Sequence, residues 1–128
     1  MATTIETLMT PSPHSIGPEQ TIAMALKLMR THGVRHLPVL DGGNIIGLVS
    51  ERELELVSTL GASNPERASV EQAMIPDPYW AEVDTPVAEV AAKMAERKLG
   101  SAVITRGGKL AGVFTTTDAL RALAELAR

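Results

Sequence analysis

The chain repeats itself. Displaced by 65 residues, the stretch from Thr4 to about Glu55 lies over the second half without a gap. Thr4-Ile5-Glu6 falls on Ser69-Val70-Glu71, and Met9-Thr10-Pro11-Ser12-Pro13 falls on Met74-Ile75-Pro76-Asp77-Pro78. Ala23 and Met29 match Ala88 and Met94, and Gly42, Gly43 and Gly47 match Gly107, Gly108 and Gly112. Glycine and proline impose special backbone geometry, so their agreement in register means that both segments follow the same path. Each unit is too small to bury a good core alone. The two halves are therefore expected to pack on each other, share a core and leave a cleft where function resides.

Composition narrows the function. Net charge is −3, and there is one Phe, one Trp and one Tyr, which argues against nucleic acid as a partner. The absence of cysteine excludes disulfides, thiolate chemistry and cysteine-bound metal. The start, Met1-Ala2-Thr3-Thr4-Ile5-Glu6, has no signal-peptide pattern, and no apolar run reaches membrane-spanning length. A soluble cytoplasmic protein with no membrane partner is expected.

Each copy opens with a short amphipathic helix, capped by Ser69 with Gln72 in the second and by Thr3 with Glu6 in the first. Pro11 and Pro13, like Pro76 and Pro78, force an extended segment. A longer helix follows, with Ile22, Leu26 and Met29, or Val87, Val90, Ala91 and Met94, at helical spacing. Thr85 and Pro86 suit an N-cap and first turn, and Gly33 suits a helix end. Residues 36–40 and 45–49 then read as a hairpin around Asp41-Gly42-Gly43-Asn44, repeated at 101–105 and 110–114 around Arg106-Gly107-Gly108-Lys109. Closing helices begin near Glu51 and Thr116. The expected units are 4–60 and 69–128, joined by a short linker at 61–68.

In this order and spacing the chain resembles the CBS domain family, specifically a tandem CBS pair (Bateman module). The residues that carry the likeness run from Met9 to Ile22, then Gly33-Val34-Arg35-His36-Leu37-Pro38-Val39 and Gly47-Leu48-Val49-Ser50, with their second copies. The resemblance implies an α/β fold of the α+β type: two β-α-β-β-α repeats packed by pseudo-two-fold symmetry into one module. It covers nearly all of the chain, which implies a free-standing pair. Such modules mostly bind adenine nucleotides or related adenosyl ligands, and usually dimerise through their helices.

The sharpest motif is Gly112-Val113-Phe114-Thr115-Thr116-Thr117-Asp118, a strand end running into a helix start. Free N–H groups and the positive end of the helix dipole favour phosphate there. Thr115 and Thr117 add hydroxyls, and the Asp118 carboxylate suits a ribose diol. Threonine and aspartate at a helix start also serve as plain caps. In CBS pairs a Gly-x-x-Thr-x-x-Asp pattern supplies ribose and phosphate contacts. Carried over by position, that site is completed by Thr10, His14, Val34, Arg35 and His36. Arg35 and His36 put basic groups toward phosphate in this reading, or else line a solvated strand edge.

The first copy reads Gly47-Leu48-Val49-Ser50-Glu51-Arg52-Glu53. Ser50 keeps the hydroxyl and Arg52 suits phosphate, but Glu53 displaces its carboxylate by a methylene. This weaker second site would be completed by Ile75, Tyr79, Leu99 and Gly100. Tyr79 is open to a base-stacking role, whereas Trp80 suits a dimer interface.

No catalytic set is visible, and no metal site. Gly33 separates His32 from His36, His14 beside Ser15 has no orienting acid, and Gly108-Lys109 lacks the rest of a P-loop. The expected function is a non-catalytic sensor that needs no cofactor, binds AMP, ADP or ATP between the repeats, and acts as a homodimer on an effector protein. A protein-interaction module with a vestigial pocket is the alternative, as is a sensor of S-adenosylmethionine or NAD.

Overall fold

The computed structural model describes residues 3–11, 14–59 and 64–128. Ser12 and Pro13 of the first extended segment, and Gly61 to Ser63 of the expected linker, lie outside the described residues. Along the chain come a 3-10 turn (Ile5–Thr7), β1 (Thr10–Pro11), α1 (Ile22–His32), β2 (His36–Asp41), β3 (Asn44–Ser50) and α2 (Glu51–Thr59). The second half adds α3 (Val70–Ala73), β4 (Ile75–Pro76), β5 (Trp80–Glu82), α4 (Val87–Arg97), β6 (Ser101–Arg106), β7 (Lys109–Thr115) and α5 (Thr116–Leu126). The mixed α/β composition and the repeated order agree with the sequence reading.

These elements form two compact units, Met1–Pro13 with Tyr79–Arg128, and His14–Pro78. The units cut across the sequence repeat. Pro11 and Pro76 hold β1 and β4 extended, and each strand pairs with the hairpin of the other copy. In one unit Thr10 opposes Val113 and Pro11 opposes Gly112; in the other Gly47 opposes Pro76 and Leu48 opposes Ile75. The first sheet runs β1-β7-β6-β5 and the second β2-β3-β4. Where β5 runs parallel to β6, the second unit has a single bridge between Ile16 and Val39.

The crossing explains one glycine pair. A Cβ on Gly112 would lie 2.6 Å from the Thr10 carbonyl oxygen and 2.7 Å from Met9 Sδ. A Cβ on Gly47 would meet the Ile75 carbonyl oxygen at 3.1 Å and collide with Met74 Sδ. The crossing strand needs a hairpin position without a side chain. Both repeats supply one, on the partner's behalf.

The cores follow the same exchange. Ile5 is fully buried in one cluster with Val90, Ile104 and Phe114, while Val70 is fully buried in the other with Met29, Leu37 and Val49. Each unit has its own cluster, closed by the opening turn of the other repeat. Burying one such aliphatic side chain stabilises by about 1.5–3 kcal/mol, enough to hold a short turn in place.

Both hairpins turn on a Gly-Gly pair with positive φ, 58° and 86° at Gly42 and Gly43, 61° and 81° at Gly107 and Gly108. Such turns match strand twist and exclude side chains at both central positions. Helix α1 is capped by Thr21, whose hydroxyl accepts from the Met24 N–H at 3.1 Å, and ends at Gly33 with φ 65°. Helix α4 ends at Lys98 with φ 57°, a conformation that costs a non-glycine residue something. Two expected caps differ. The first turn is capped from Thr4 rather than Thr3, and Glu6 pairs with Arg106 instead of closing a capping box. At α4 the N-cap is Pro86, whose backbone is extended at φ −60° and ψ 138°, and the Thr85 carbonyl accepts from the Ile5 N–H at 2.8 Å. The Ser69 box does form: the Gln72 side chain accepts from the Ser69 N–H at 3.0 Å.

One hairpin is latched and the other is not. The Glu82 carboxylate accepts from the Thr105 hydroxyl and from the N–H groups of Gly107 at 2.8 Å and Gly108 at 3.3 Å. The Thr105 hydroxyl foremost, then the Gly107 N–H, hold the Glu82 carboxyl below its ordinary value against an opposing desolvation, with Gly108 and Arg106 adding lesser effects. The matching position in the first repeat is Gly17, which has no carboxylate. A carboxylate whose folded value is depressed contributes stability above its unfolded pKa, about 4.3, and loses it as pH falls through the folded value. Wild type should therefore be more stable than Glu82→Gln at pH 7, with the gap closing in urea denaturation below roughly pH 4. A gap that persists at acid pH would show that the charge is irrelevant.

Candidate functional site

Strand β7 ends at Thr115 and α5 starts at Thr116, so three hydroxyls and a carboxylate gather at one helix start. Thr115 is the N-cap, its hydroxyl accepting from the Asp118 N–H at 3.1 Å, while Asp118 Oδ2 accepts from the Thr115 N–H at 3.0 Å. This is a capping box with aspartate in the closing position. The Thr116 N–H and hydroxyl both donate to the Gly100 carbonyl at 3.0 Å. Thr117 is exposed, and among the described residues no hydrogen bond takes its hydroxyl.

Asp118 is only 5% exposed, the one buried acid among the described residues. Its Oδ1 accepts from the Thr10 hydroxyl at 2.9 Å and from Arg121 Nη1 at 3.4 Å. Thr10 belongs to the first sequence repeat and Asp118 to the second, and the β1–β7 pairing brings them together. A buried charge requires such partners. Three donors fill three of about four acceptor positions on a carboxylate, so one position on Oδ2 stays open.

Arg121 was not singled out in the sequence. Its signal was there: three residues past Asp118 on a predicted helix, it faces the same side. Its side chain is 71% exposed while its guanidinium tip reaches the buried carboxylate. Thr116 was likewise passed over in favour of Thr115 and Thr117.

The first-copy motif has the same frame and different chemistry. Ser50 Oγ accepts from the Glu53 N–H at 3.3 Å, and the Glu51 N–H donates to the Arg35 carbonyl at 2.9 Å, as Thr116 does to Gly100. Arg52 is exposed and Glu53 half-buried. Among the described residues no donor reaches the Glu53 carboxylate. The positions matching Thr10, Asp118 and Arg121 hold Ile75, Glu53 and Leu56, so the whole set is lost together. His36 stands opposite Ser50 in the β2–β3 ladder, which puts Arg35 and His36 beside the start of α2.

Of the residues expected at the better site, Thr10, Thr115, Thr117 and Asp118 belong to one unit, and His14, Val34, Arg35 and His36 to the other. Of the weaker set, Ser50, Arg52, Glu53 and Ile75 share a unit, whereas Tyr79, Leu99 and Gly100 lie in the unit of Asp118. The His14 ring stacks on His32, centroids 3.6 Å apart with 13° between planes. Arg97 lies over the Tyr79 ring, 5.5 Å from its centroid. Burial pushes the Tyr79 phenol above its ordinary value, Glu89 adds to this and Arg97 works against it. Among the described residues no group of three or more His, Asp or Glu could hold a metal, and no helix is long and apolar enough to cross a membrane.

Comparison with known proteins identifies the family of the chain. The CBS domain family model matches residues 5–56 and again 70–125. A CBS domain-containing protein of Dictyostelium discoideum is 30% identical over 131 residues, covering 94% of this chain and 90% of that protein. An uncharacterized conserved protein from Pyrococcus horikoshii, solved by crystallography, is 31% identical with a TM-score of 0.83, covering 95% of this chain and 92% of that one. The crystal structure of CBSX2 in complex with AMP is 27% identical with a TM-score of 0.76, covering 98% of each chain. The chain belongs to the CBS domain family, with two CBS domains in tandem.

Proposed function

We propose that the chain is a non-catalytic ligand sensor that binds an adenine nucleotide (AMP, ADP or ATP), with the ribose held by Asp118. The observation that carries this reading is the buried Asp118 carboxylate at the start of α5, contacted by residues of both repeats and retaining one open acceptor position. Thr117, exposed at the same helix start, supplies a hydroxyl for phosphate, with the helix dipole behind it. The AMP complex of the similar CBSX2 supports the ligand class. S-adenosylmethionine or NAD would present the same ribose diol and compete for the same carboxylate. The Ser50–Glu53 motif is the weaker site. A cytoplasmic location is compatible with ligands of this class.

Calorimetric titration with AMP, ADP, ATP, S-adenosylmethionine and NAD tests the reading. Saturable binding of at least one adenine nucleotide is the expected result, and binding of none would overturn it. One observation favours a second reading, an interaction module with a vestigial pocket: Asp118 is already engaged by its own helix cap and by Thr10.

An effector protein would read the ligand through differential affinity for two states of the sensor. A homodimer fits the exposed apolar side chains, with Leu120, Leu123 and Leu126 on α5 exposed by 62%, 59% and 83%, and Trp80 by 58%. Surfaces of this kind mark interaction sites. Sedimentation equilibrium should give a dimer at micromolar concentration that Leu120→Glu with Leu123→Glu dissociates. A wild-type monomer would contradict this.

A further inference from the structure

We propose that Thr10 is a latch that imitates a ribose hydroxyl on Asp118, and that it sets how strongly the site prefers a vicinal diol. The inference rests on the ligand reading given above. The Asp118 carboxylate is buried, yet the residue covering its Oδ1 is exposed and lies on a two-residue strand. The Thr10 hydroxyl donates to Oδ1 at 2.9 Å, the geometry that a sugar hydroxyl would adopt. Rotation about one side-chain torsion removes it without disturbing the β1–β7 ladder.

The acceptor count then decides specificity. Oδ2 carries the Thr115 N–H and has room for one donor; Oδ1 carries Thr10 and Arg121. One hydroxyl of an entering diol takes the open position. The second must displace Thr10. A sugar with a single hydroxyl uses only the open position and leaves the latch closed. The first repeat supports treating these side chains as a set, since Ile75, Glu53 and Leu56 stand where Thr10, Asp118 and Arg121 would be. Where the carboxylate is altered, the latch hydroxyl is absent too.

Titration of AMP and 2′-deoxy-AMP into wild type, Thr10→Val and Thr10→Ser tests this. Valine keeps the β-branched shape and strand preference but removes the hydroxyl. It should tighten AMP by about 3- to 10-fold, the worth of one net hydrogen bond no longer competed for, and leave 2′-deoxy-AMP unchanged. Serine keeps the hydroxyl and should behave as wild type. Binding of AMP to Thr10→Val alone would also support the latch. Weaker AMP binding by Thr10→Val would make Thr10 a ligand contact instead, and equal affinities, or equal gains for both nucleotides, would overturn the latch while the ligand reading stands. No nucleotide binding by any of the three proteins would overturn the ligand reading and the latch with it.

Discussion

Asp118→Ala should unfold at a lower temperature than wild type and should gain much less stability from an adenine nucleotide. The first effect comes from the capping box and from Thr10. The substitution strips the Thr115 N–H and the Thr10 hydroxyl of their acceptor in a part-buried setting. Together with the lost cap this destabilises by about 1–3 kcal/mol. Arg121 adds little, because its side chain is largely exposed and such pairs are weak. The second effect is separate. A ligand at one hundred times its dissociation constant stabilises the fold it binds by about 2.7 kcal/mol. For a chain of this length that amounts to roughly 10 °C in the melting temperature. Wild type should show such a shift and Asp118→Ala a much smaller one. A thermal melt with and without AMP measures both effects.

Gly112→Ala should be the more damaging of two matched glycine substitutions. Its new Cβ would lie 2.6 Å from the Thr10 carbonyl oxygen, a backbone atom that moves only if β1 leaves its ladder. Overpacking of this kind costs about 1–3 kcal/mol. At Gly47 the severe collision is with the Met74 sulfur, the end of a flexible side chain, and the nearest backbone oxygen is farther, at 3.1 Å. Gly47→Ala should therefore cost less. Urea denaturation should rank wild type above Gly47→Ala above Gly112→Ala in midpoint, with slopes unchanged. The reverse order would mean that β1 is the looser of the two crossing strands.

The glycine pair shows what the sequence disclosed and what it hid. The matching of Gly47 with Gly112, and of Met9-Thr10 with Met74-Ile75, was visible as register. That each methionine packs over the other copy's glycine was not, because strand pairing between segments distant in sequence leaves no local mark. Hairpins, the Gly33 helix end and the Ser69 box depend on neighbouring residues and were readable. The expected Thr3 and Thr85 caps gave way to Thr4 and Pro86, while Glu6 and the Thr85 carbonyl found the distant partners Arg106 and the Ile5 N–H. At the candidate site, family resemblance supplied Thr10 and Asp118 as members of one site. Their direct hydrogen bond, and the part played by Arg121, depend on side-chain reach that spacing alone does not contain.

The account centres on the Asp118 carboxylate as the ribose anchor. The most direct measurement is calorimetric titration of AMP into wild type and Asp118→Ala, well below the melting temperature of both. A hydrogen bond to a charged group contributes about 1.5–3 kcal/mol, and each 1.4 kcal/mol is tenfold in affinity. Binding to wild type that weakens by at least about tenfold in Asp118→Ala is the predicted result. Equal affinity in the two proteins would contradict it.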